Sequence, residues 1–264
     1  MNQTLREIEL ICVDDGSTDG SAEMVEQEFP QVRVIRKTNG GDASAKNMAA
    51  ANAQGKYLVF LDSDDIMLPG ALEMLMRPLR QNDGACAYGQ YTRIDADGAP
   101  IPGKLKLDKF PSGDILPDLI RRIIVCNCGF MVPTADFAEA GGFNTEYKVG
   151  YDYYFALKMA LNHKIFSVDA PVFKRRRHSG NISGCSFVKE LQILTVFEDF
   201  STAHPELQQR LGKEIRKRIS TLALRAAKQG KKENSDPAKV RALQLKSWQN
   251  NRTFKTFWHG LLGR

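Results

Sequence analysis

Two short acidic segments each follow an apolar run that predicts a buried strand. Residues 14–19 (DDGSTD) come directly after the run at 8–13, and residues 62–65 (DSDD) come directly after the run at 57–61. In an open α/β sheet, ligands bind outside the carboxyl ends of the strands. Carboxylates at that edge can hold a nucleobase and a metal-bound diphosphate together, and hard oxygen ligands favour Mg²⁺ or Mn²⁺. The two segments therefore predict a nucleotide and metal site.

Each segment also has a simpler interpretation. Aspartate, glycine and serine suit a tight turn and the helix caps that follow it, and residues 62–65 suit a solvated surface. Residues 15–26 fit the spacing of a calcium-binding loop, but a strand-like run precedes them instead of a helix, so we reject that interpretation. Three aspartates within residues 62–65 repel one another, and a bound divalent cation would offset that repulsion.

The elements that must position these segments alternate between strand and helix in the first third of the chain. Strands are predicted at 8–13, 31–36 and 57–61, and helices at 21–29, 43–54 and 69–81. This order is typical of a parallel sheet with helices on both faces. The later elements are predicted strands at 85–94, 126–132 and 165–168, and predicted helices at 114–125, 134–140, 152–162, 187–201 and 206–229, with a hinge at 230–237.

The composition excludes several classes of protein. The 264 residues are 42% hydrophobic and 26% charged, which is ordinary for a globular chain with a sizeable core. The five cysteines are scattered and odd in number, so we expect reduced thiols rather than a disulfide framework. Cys126 and Cys128 lack a second ligand pair at zinc spacing. No apolar stretch reaches the ~18 residues of a membrane span.

The net charge of +6 is concentrated in the C-terminal part of the chain. Residues 186–264 carry 16 Lys and Arg against 7 Asp and Glu, together with Trp248, Phe254, Phe257 and Trp258. A solvated helical face is one interpretation of this pattern. Contact with an anionic membrane surface is the other, because basic residues with Trp and Phe suit that interface. No nucleic-acid-binding motif appears, so we expect no nucleic-acid partner.

Six motifs in order along the chain resemble one known family. They are residues 13–21 (VDDGSTDGS), 41–47 (GDASAKN), 55–65 (GKYLVFLDSDD), 141–143 (GGF), 150–153 (GYDY) and 176–183 (RRHSGNIS). Their order and spacing resemble the family 2 glycosyltransferases, and the resemblance covers residues 1 to about 185. It implies a GT-A fold, which is an α/β, Rossmann-like, mostly parallel sheet with helices on both faces. We expect this domain at 1–185 and a basic helical extension at 186–264.

The resemblance implies roles for the two acidic segments. Asp14 and Asp15 lie where the family contacts the base and ribose of a nucleotide-sugar. Lys46 lies where the family usually has arginine, and it would meet the diphosphate without the bidentate fork of a guanidinium. Asp62 and Asp64 form the DxD element, which is implied to hold Mn²⁺ or Mg²⁺ on the diphosphate. Asp62 is also implied to contact the nucleotide-sugar.

The later motifs imply the remaining site residues. Asp152 matches the family's general base, which takes the proton from the acceptor hydroxyl, although Tyr151 replaces the glutamate usual before it. The alternative is that Asp152 only caps the helix that follows. Arg176 and His178 match a late motif near the diphosphate and the metal respectively, and the alternative for both is a basic surface loop.

The resemblance implies a reaction and a setting. We expect a metal-dependent inverting transfer of a sugar from a nucleotide-sugar, a UDP-sugar, to a hydroxyl of a glycan or lipid-linked acceptor in surface polysaccharide or glycolipid assembly. The expected location is cytoplasmic, peripheral at the inner face of the membrane. The resemblance implies an opening strand and helix that we expect this sequence to lack, and that strand would lie between the strands at 8–13 and 57–61. The alternative function is therefore a truncated, non-catalytic relative that binds nucleotide weakly or acts as a scaffold.

Overall fold

The computed structural model describes residues 3–102, 110–178, 180 and 186–252. The chain folds into two compact units. The first comprises Met1–Ile115 with Val125–His178, and the second comprises Leu116–Ile124 with Ser179–Arg264. The predicted boundary at residue 185 falls outside the described residues.

The first unit opens with a small parallel sheet. Strands β1 (Ile11–Asp14) and β2 (Arg33–Arg36) pair in register from Ile11 opposite Arg33 to Asp14 opposite Arg36. Helix α1 (Ser21–Glu28) connects them, and helix α2 (Asp42–Asn52) follows β2. Because β1 ends at Asp14, the first acidic segment lies at the carboxyl end of a parallel strand, where the sequence predicts it.

The second sheet of the first unit has five strands in the order β3-β6-β5-β7-β4. Its strands are β3 (Tyr57–Val59), β4 (Ile66–Met67), β5 (Cys86–Ile94), β6 (Phe130–Pro133) and β7 (Ile165–Arg176). The β5–β7 pair is parallel, whereas the β3–β6, β5–β6 and β4–β7 pairs are antiparallel.

The expectation of a mostly parallel sheet is therefore wrong in this detail, and the sheet is mixed. Parallel pairing requires a crossover connection between strands, and the strand–helix alternation is interrupted where β4 follows β3 directly, before helix α3 (Ala71–Leu79). In the part of the chain that the structure describes, β1 pairs with β2 and β3 pairs with β6, so the two sheets share no strand pairing.

Helices pack on the five-stranded sheet through regularly spaced apolar residues. In α3, Ala71, Leu75 and Leu79 recur at i, i+4 spacing and are each at most 2% exposed. Helices α5 (Thr134–Glu139) and α6 (Tyr151–Asn162) contribute Phe137 and Phe155, whose rings lie 4.9 Å apart. This contact packs α6 against α5, and the first turn of α6 carries Asp152.

Two glycines give room for one buried side chain at the centre of the sheet. Val172 of β7 is fully buried, and a Cβ atom added at Gly89 of β5 would lie 2.5 Å from both of its methyl carbons. A Cβ at Gly129, before β6, would lie 2.7 Å from one of them. The Gly89 amide donates to the Gly129 carbonyl oxygen at 2.9 Å. The β5–β7 register also shifts between Tyr88 and Gln90, around Gly89.

Strand β7 is much longer than predicted. The sequence predicts a strand at 165–168, whereas β7 continues to Arg176. Pro171 would end a central strand, but it pairs with Gln90 next to a register shift, which is a position that tolerates proline. The extension carries the chain to Arg176 and His178.

The second unit is helical in its described residues. It contains α4 (Leu116–Arg121), α7 (Phe187–Ala203), α8 (Leu207–Lys232) and α9 (Pro237–Asn250). The hinge is predicted to begin at residue 230, which is wrong, because α8 continues to Lys232. Asp236 caps α9 by accepting a hydrogen bond from the Ala238 amide. Among described residues, no helix is long and apolar enough to cross a membrane. Phe254, Phe257 and Trp258 lie outside them.

Candidate active site

The Asp14–Asp15 turn is fastened to the start of α2. The Asp15 carboxylate accepts hydrogen bonds from Lys37 Nζ at 2.5 Å, from the Gly40 amide at 2.9 Å and from the Gly41 amide at 2.7 Å. Burial alone would raise the pKa of Asp15, but these three donors outweigh it and lower the pKa. Asp14 accepts from the Ser17 amide at 3.2 Å, which closes the turn.

Lys46 of α2 is surrounded by acidic and phenolic oxygens. Its Nζ donates to Asp62 at 2.6 Å and to the Tyr151 hydroxyl at 2.9 Å, and it also donates to Asp42. The residue is 7% exposed. Burial lowers the pKa of Lys46, but the charges of Asp62 and Asp42 more than offset this, so the pKa is raised and the ammonium group is retained. The structure thus brings Lys46 and Asp62 together, and it directs Lys46 toward carboxylates.

The second acidic segment forms a turn between β3 and β4. The Asp62 amide donates to Cys128 Sγ at 3.2 Å, and the Asp65 amide donates to the Asp62 carbonyl at 3.1 Å. Asp64 Oδ2 lies 3.0 Å from His178 Nε2. The structure therefore brings together the predicted metal-binding pair Asp64 and His178.

Arg176 supports this turn through main-chain atoms. Its amide donates to Asp65 Oδ1 and its Nε donates to the Asp64 carbonyl oxygen, both at 2.9 Å. Its guanidinium also donates to the carbonyl oxygens of Asp95 and Ala96, at 3.3 and 2.8 Å. The geometry thus makes Arg176 a clamp on the acidic turn, and contact between Arg176 and a diphosphate stays a prediction.

Asp152 lies in the first turn of α6, directly after Tyr151. It is partly buried, and its carboxylate accepts from the Tyr153 amide at 2.8 Å. Burial raises the pKa of Asp152, and this effect outweighs the opposing contributions of that hydrogen bond and of the Lys46 and Arg175 charges. A carboxylate with a raised pKa is a stronger base than an ordinary aspartate.

The acidic turn fits a divalent cation. Burial raises the pKa of Asp65, and the negative charges of Asp62 and Asp64 raise it further, so repulsion within the turn is only partly offset by protein groups. The carboxylates of Asp62 and Asp65 lie with Cys128 Sγ within 4.8 Å of one another. Burial raises the pKa of the Cys128 thiol, which disfavours the thiolate, so the carboxylates and His178 are the better donors.

Several residues of this network have no role in the sequence prediction. Asp42 and Tyr151 enclose Lys46, and Lys37 holds Asp15. The i, i+4 spacing of Asp42 and Lys46 on a predicted helix could have indicated their ion pair. Asn47 is bonded to both the amide and the carbonyl of Phe143, at 2.9 and 2.8 Å, and no short-range signal indicates this pairing.

The profile of glycosyl transferase family 2 matches residues 1–136, about half of the chain. The chain belongs to this family. It is 29% identical over 187 residues to a chondroitin synthase of Pasteurella multocida (strain Pm70) and to a hyaluronan synthase of P. multocida, a match that covers 69% of this chain. It is 41% identical over 103 residues to the glycosyltransferase GlyG of Streptococcus pneumoniae, which covers 37% of this chain and 34% of GlyG. The chain spans 19%, about a fifth, of the two synthases it matches.

Solved structures of S. aureus TarS share the fold. The TarS fragment 1–349 in complex with UDP has a TM-score of 0.59 at 18% identity, covering 100% of this chain and 85% of that one. The same fragment in complex with UDP-GlcNAc has a TM-score of 0.61 at 16% identity, covering 97% and 84%. The expected family and the α/β GT-A fold with C-terminal helices are thereby confirmed.

Proposed function

We propose that this chain carries the transfer centre of a metal-dependent inverting glycosyltransferase, which moves a sugar from a UDP-sugar to an acceptor hydroxyl. One observation carries the proposal. Within the first unit, an unbroken series of contacts joins the Asp15 turn to α2, α2 through Lys46 to Asp62, and Lys46 to the first turn of α6, where Asp152 lies. Residues proposed for the donor, the metal and the acceptor are thereby held in one network.

The donor would lie over the carboxyl ends of β1 and β3. Asp14 and Asp15 are proposed for the base and ribose, because the Asp15 carboxylate is held rigid by three donors at the end of a strand. A uridine nucleotide is supported by the UDP and UDP-GlcNAc bound in the TarS structures of this fold. The likeness to TarS is one of fold alone, so the sugar is not assigned.

Asp62, Asp64 and His178 would hold the cation, with Asp65 beside them. Mn²⁺ suits this set better than Mg²⁺, since Mg²⁺ prefers oxygen ligands alone and His178 offers nitrogen. When bound, the cation would supply Lewis-acid stabilisation of the departing diphosphate. The protein would position Asp64 for this cation, because Arg176 Nε donates a hydrogen bond to the Asp64 carbonyl oxygen.

Asp152 would accept the proton of the acceptor hydroxyl as the hydroxyl oxygen attacks the anomeric carbon. Its raised pKa suits this role, because a more basic carboxylate takes the proton with a smaller penalty. A single attack opposite the leaving diphosphate inverts the anomeric centre, and one base is sufficient for it.

We propose a glycan or lipid-linked glycan as the acceptor, because the P. multocida relatives are named as synthases of chondroitin and of hyaluronan. We place the reaction on the cytoplasmic side of the membrane, with a peripheral contact through α8. Exposed basic residues recur along α8 at helical spacing, namely Arg210, Lys213, Lys217, Lys228 and Lys231. Anionic lipid attracts each such charge by about 1 kcal/mol. No nucleic acid is proposed as a partner.

The test is release of UDP from a panel of UDP-sugars with glycosaminoglycan oligosaccharides as acceptors, with Mn²⁺ or with EDTA. Asp64→Asn and Asp152→Asn should each lower turnover by at least about 100-fold, and EDTA should do the same. Asp83→Asn is the matched control, since that carboxylate is 92% exposed and its ion-pair partner, Lys56 at 3.4 Å, has no proposed role in the site. If the Asp64→Asn and Asp152→Asn variants both turned over at the wild-type rate, the mechanism would be refuted.

The alternative is a non-catalytic relative that binds nucleotide weakly or acts as a scaffold. Two observations favour it: Lys46 is engaged by Asp42 and Asp62, and in the described residues β1 and β3 belong to separate sheets. Calorimetric titration with UDP and Mn²⁺ separates the two functions. Saturable Mn²⁺-dependent binding with turnover supports the transferase, whereas binding without turnover on any sugar supports the alternative.

A further inference from the structure

Three side chains close a ring of hydrogen bonds beneath the acidic turn. Lys46 Nζ donates to Asp42 Oδ1 and to the Tyr151 hydroxyl, and the Tyr151 hydroxyl donates to Asp42 Oδ2. The same Nζ donates to Asp62 Oδ1 at 2.6 Å. Lys46 also lies 5.5 Å from the centroid of the Tyr151 ring.

The hydrogen bonds of the ring and of Asp62 use the donors of Lys46, so little of its bonding capacity remains for a ligand. An ammonium group has three donors, and here Asp42, Asp62 and Tyr151 take one each. The residue is 7% exposed, so Lys46 would have to give up a charged partner before it could meet a diphosphate. Hydrogen bonds to charged groups are the strong class, which makes this exchange costly.

The ring connects three segments that are far apart in sequence. Asp42 and Lys46 lie on α2, Asp62 begins the acidic turn, and Tyr151 begins α6. Lys46 and Tyr151 are separated by 105 positions, and Tyr151 immediately precedes Asp152. A displacement of the Tyr151 hydroxyl therefore moves the first turn of α6, and with it Asp152, relative to Asp62.

We propose that Asp42, Lys46 and Tyr151 form a positioning triad that fixes the acidic turn relative to Asp152. The proposal rests on the proposed function and deepens it. The triad touches neither donor nor acceptor, and Lys46 acts on Asp62 rather than on the diphosphate. Nucleotide binding and transfer rate should then respond differently when the ring is broken, because the first depends on the donor side alone and the second on alignment of both sides.

The first variant is Tyr151→Phe, which deletes one oxygen and keeps the ring that packs 5.1 Å from Phe143. We expect kcat to fall by about 10- to 100-fold, because misalignment of reacting groups by about 1 Å has an effect of that size. We expect the Kd of UDP with Mn²⁺ to change by less than about threefold, since the Asp15 turn and Asp64 are untouched. Tyr154→Phe is the matched control, because it deletes the same oxygen three positions further along α6, and its kcat should stay within about twofold of wild type.

The second variant is Tyr151→Glu, which introduces the residue that the family usually has at this position. A third carboxylate would then face Asp42 and Asp62 around a single ammonium group, and like charges this close repel. Turnover of Tyr151→Glu should accordingly be lower than that of Tyr151→Phe. Should position 151 instead contact the acceptor, Tyr151→Glu would retain more activity than Tyr151→Phe, and the triad would be refuted.

A double-mutant cycle tests the ring as a unit. Tyr151→Phe and Asp42→Asn break the same ring, so the double variant should lose little more than the worse single variant in kcat. Multiplicative losses in kcat, or a rise of more than about tenfold in the UDP Kd of Tyr151→Phe, would overturn the proposal. Failure of the proposed function looks different, because the wild-type chain would then release no UDP. In that case the same cycle, measured on unfolding by urea, still decides whether the ring exists.

Discussion

Replacing Gly89 by alanine should destabilise the five-stranded sheet through a single contact. The added Cβ would lie 2.5 Å from both Val172 methyl carbons and 3.0 Å from Val172 Cβ. Carbon atoms in contact normally lie about 3.5–4.0 Å apart, so the overlap is about 1 Å. Because the contact involves both methyl groups, rotation about χ1 of the fully buried Val172 cannot remove it. Gly89 does not have the left-handed φ that would add backbone strain, so the steric contact is isolated.

The expected magnitude follows from two opposing effects. Overpacking of a buried site costs about 1–3 kcal/mol. Alanine restricts the unfolded chain more than glycine and returns about 0.4–1 kcal/mol. The net loss of stability for Gly89→Ala should therefore be about 1–2 kcal/mol. Val172→Ala alone removes two methyl groups and should cost about 2 kcal/mol, including the cavity it leaves.

Combining the two substitutions identifies the cause. The double variant Gly89→Ala/Val172→Ala should be less destabilised than the sum of the single variants by at least about 1 kcal/mol, because the second change makes room for the first. Gly55→Ala is the control: its Cβ would meet only the Tyr57 carbonyl oxygen at 3.4 Å, so it should leave stability within about 0.5 kcal/mol of wild type.

Hydrogen exchange of β5 and β7 peptides, followed by mass spectrometry, measures the opening free energy of this sheet separately from the helical unit. Two results would refute the reasoning. One is hydrogen exchange of the β5 and β7 peptides in Gly89→Ala that is as slow as in the wild type. The other is strict additivity in the double variant, which would show that the alanine acts elsewhere than on Val172.

Three further predictions follow from the site and from α8. The kcat of transfer should rise with pH through the raised pKa of Asp152, since only the deprotonated carboxylate accepts a proton; an acid limb at or below the ordinary aspartate value of about 3.9 would contradict this role. The lowered pKa of Asp15 means that its bonds to Lys37 and the loop amides stabilise the fold above the ordinary pKa, and that this stability is lost as pH falls through the folded-state value. Asp15→Asn should therefore weaken the acid dependence of urea unfolding, and an unchanged dependence would exclude the linkage. Lys217→Glu/Lys228→Glu should weaken sedimentation with phosphatidylserine vesicles by more than about tenfold at low salt, and neither the variant nor the wild type is expected to sediment with phosphatidylcholine vesicles; equal binding of phosphatidylserine by the variant would refute the α8 contact.

The sequence predicts the strands and helices of the first third of the chain well, apart from the short β4, because apolar runs and helix-compatible segments alternate there. It fails at β7, where Pro171 and a run of basic residues conceal a strand that extends to Arg176. The strand persists because its central residues, such as Val172 and Phe173, are buried by neighbouring strands. That burial is a tertiary effect which periodicity alone does not reveal.

The site residues also divide into those that motifs predict and those whose partners only the fold reveals. Asp64 and His178 are predicted from motifs and meet at 3.0 Å. Lys46 is predicted to face a diphosphate, whereas in the structure it faces carboxylates and Tyr151. Its position within a motif is local information. Its partners come from a turn 16 residues away and a helix 105 residues away, and only the folded chain brings them together.

Arg176 supports the acidic turn at a main-chain atom, whereas the proposed cation would bind the side chains of the turn. Arg176 donates to the Asp64 main-chain oxygen, an acceptor that every residue type at position 64 would offer, so this support of the turn does not depend on the side chain there. Substitutions there can change the affinity for a cation, or abolish it, in a turn that keeps its form. We therefore expect the fold to tolerate variation at position 64 even where it removes the proposed cation ligand.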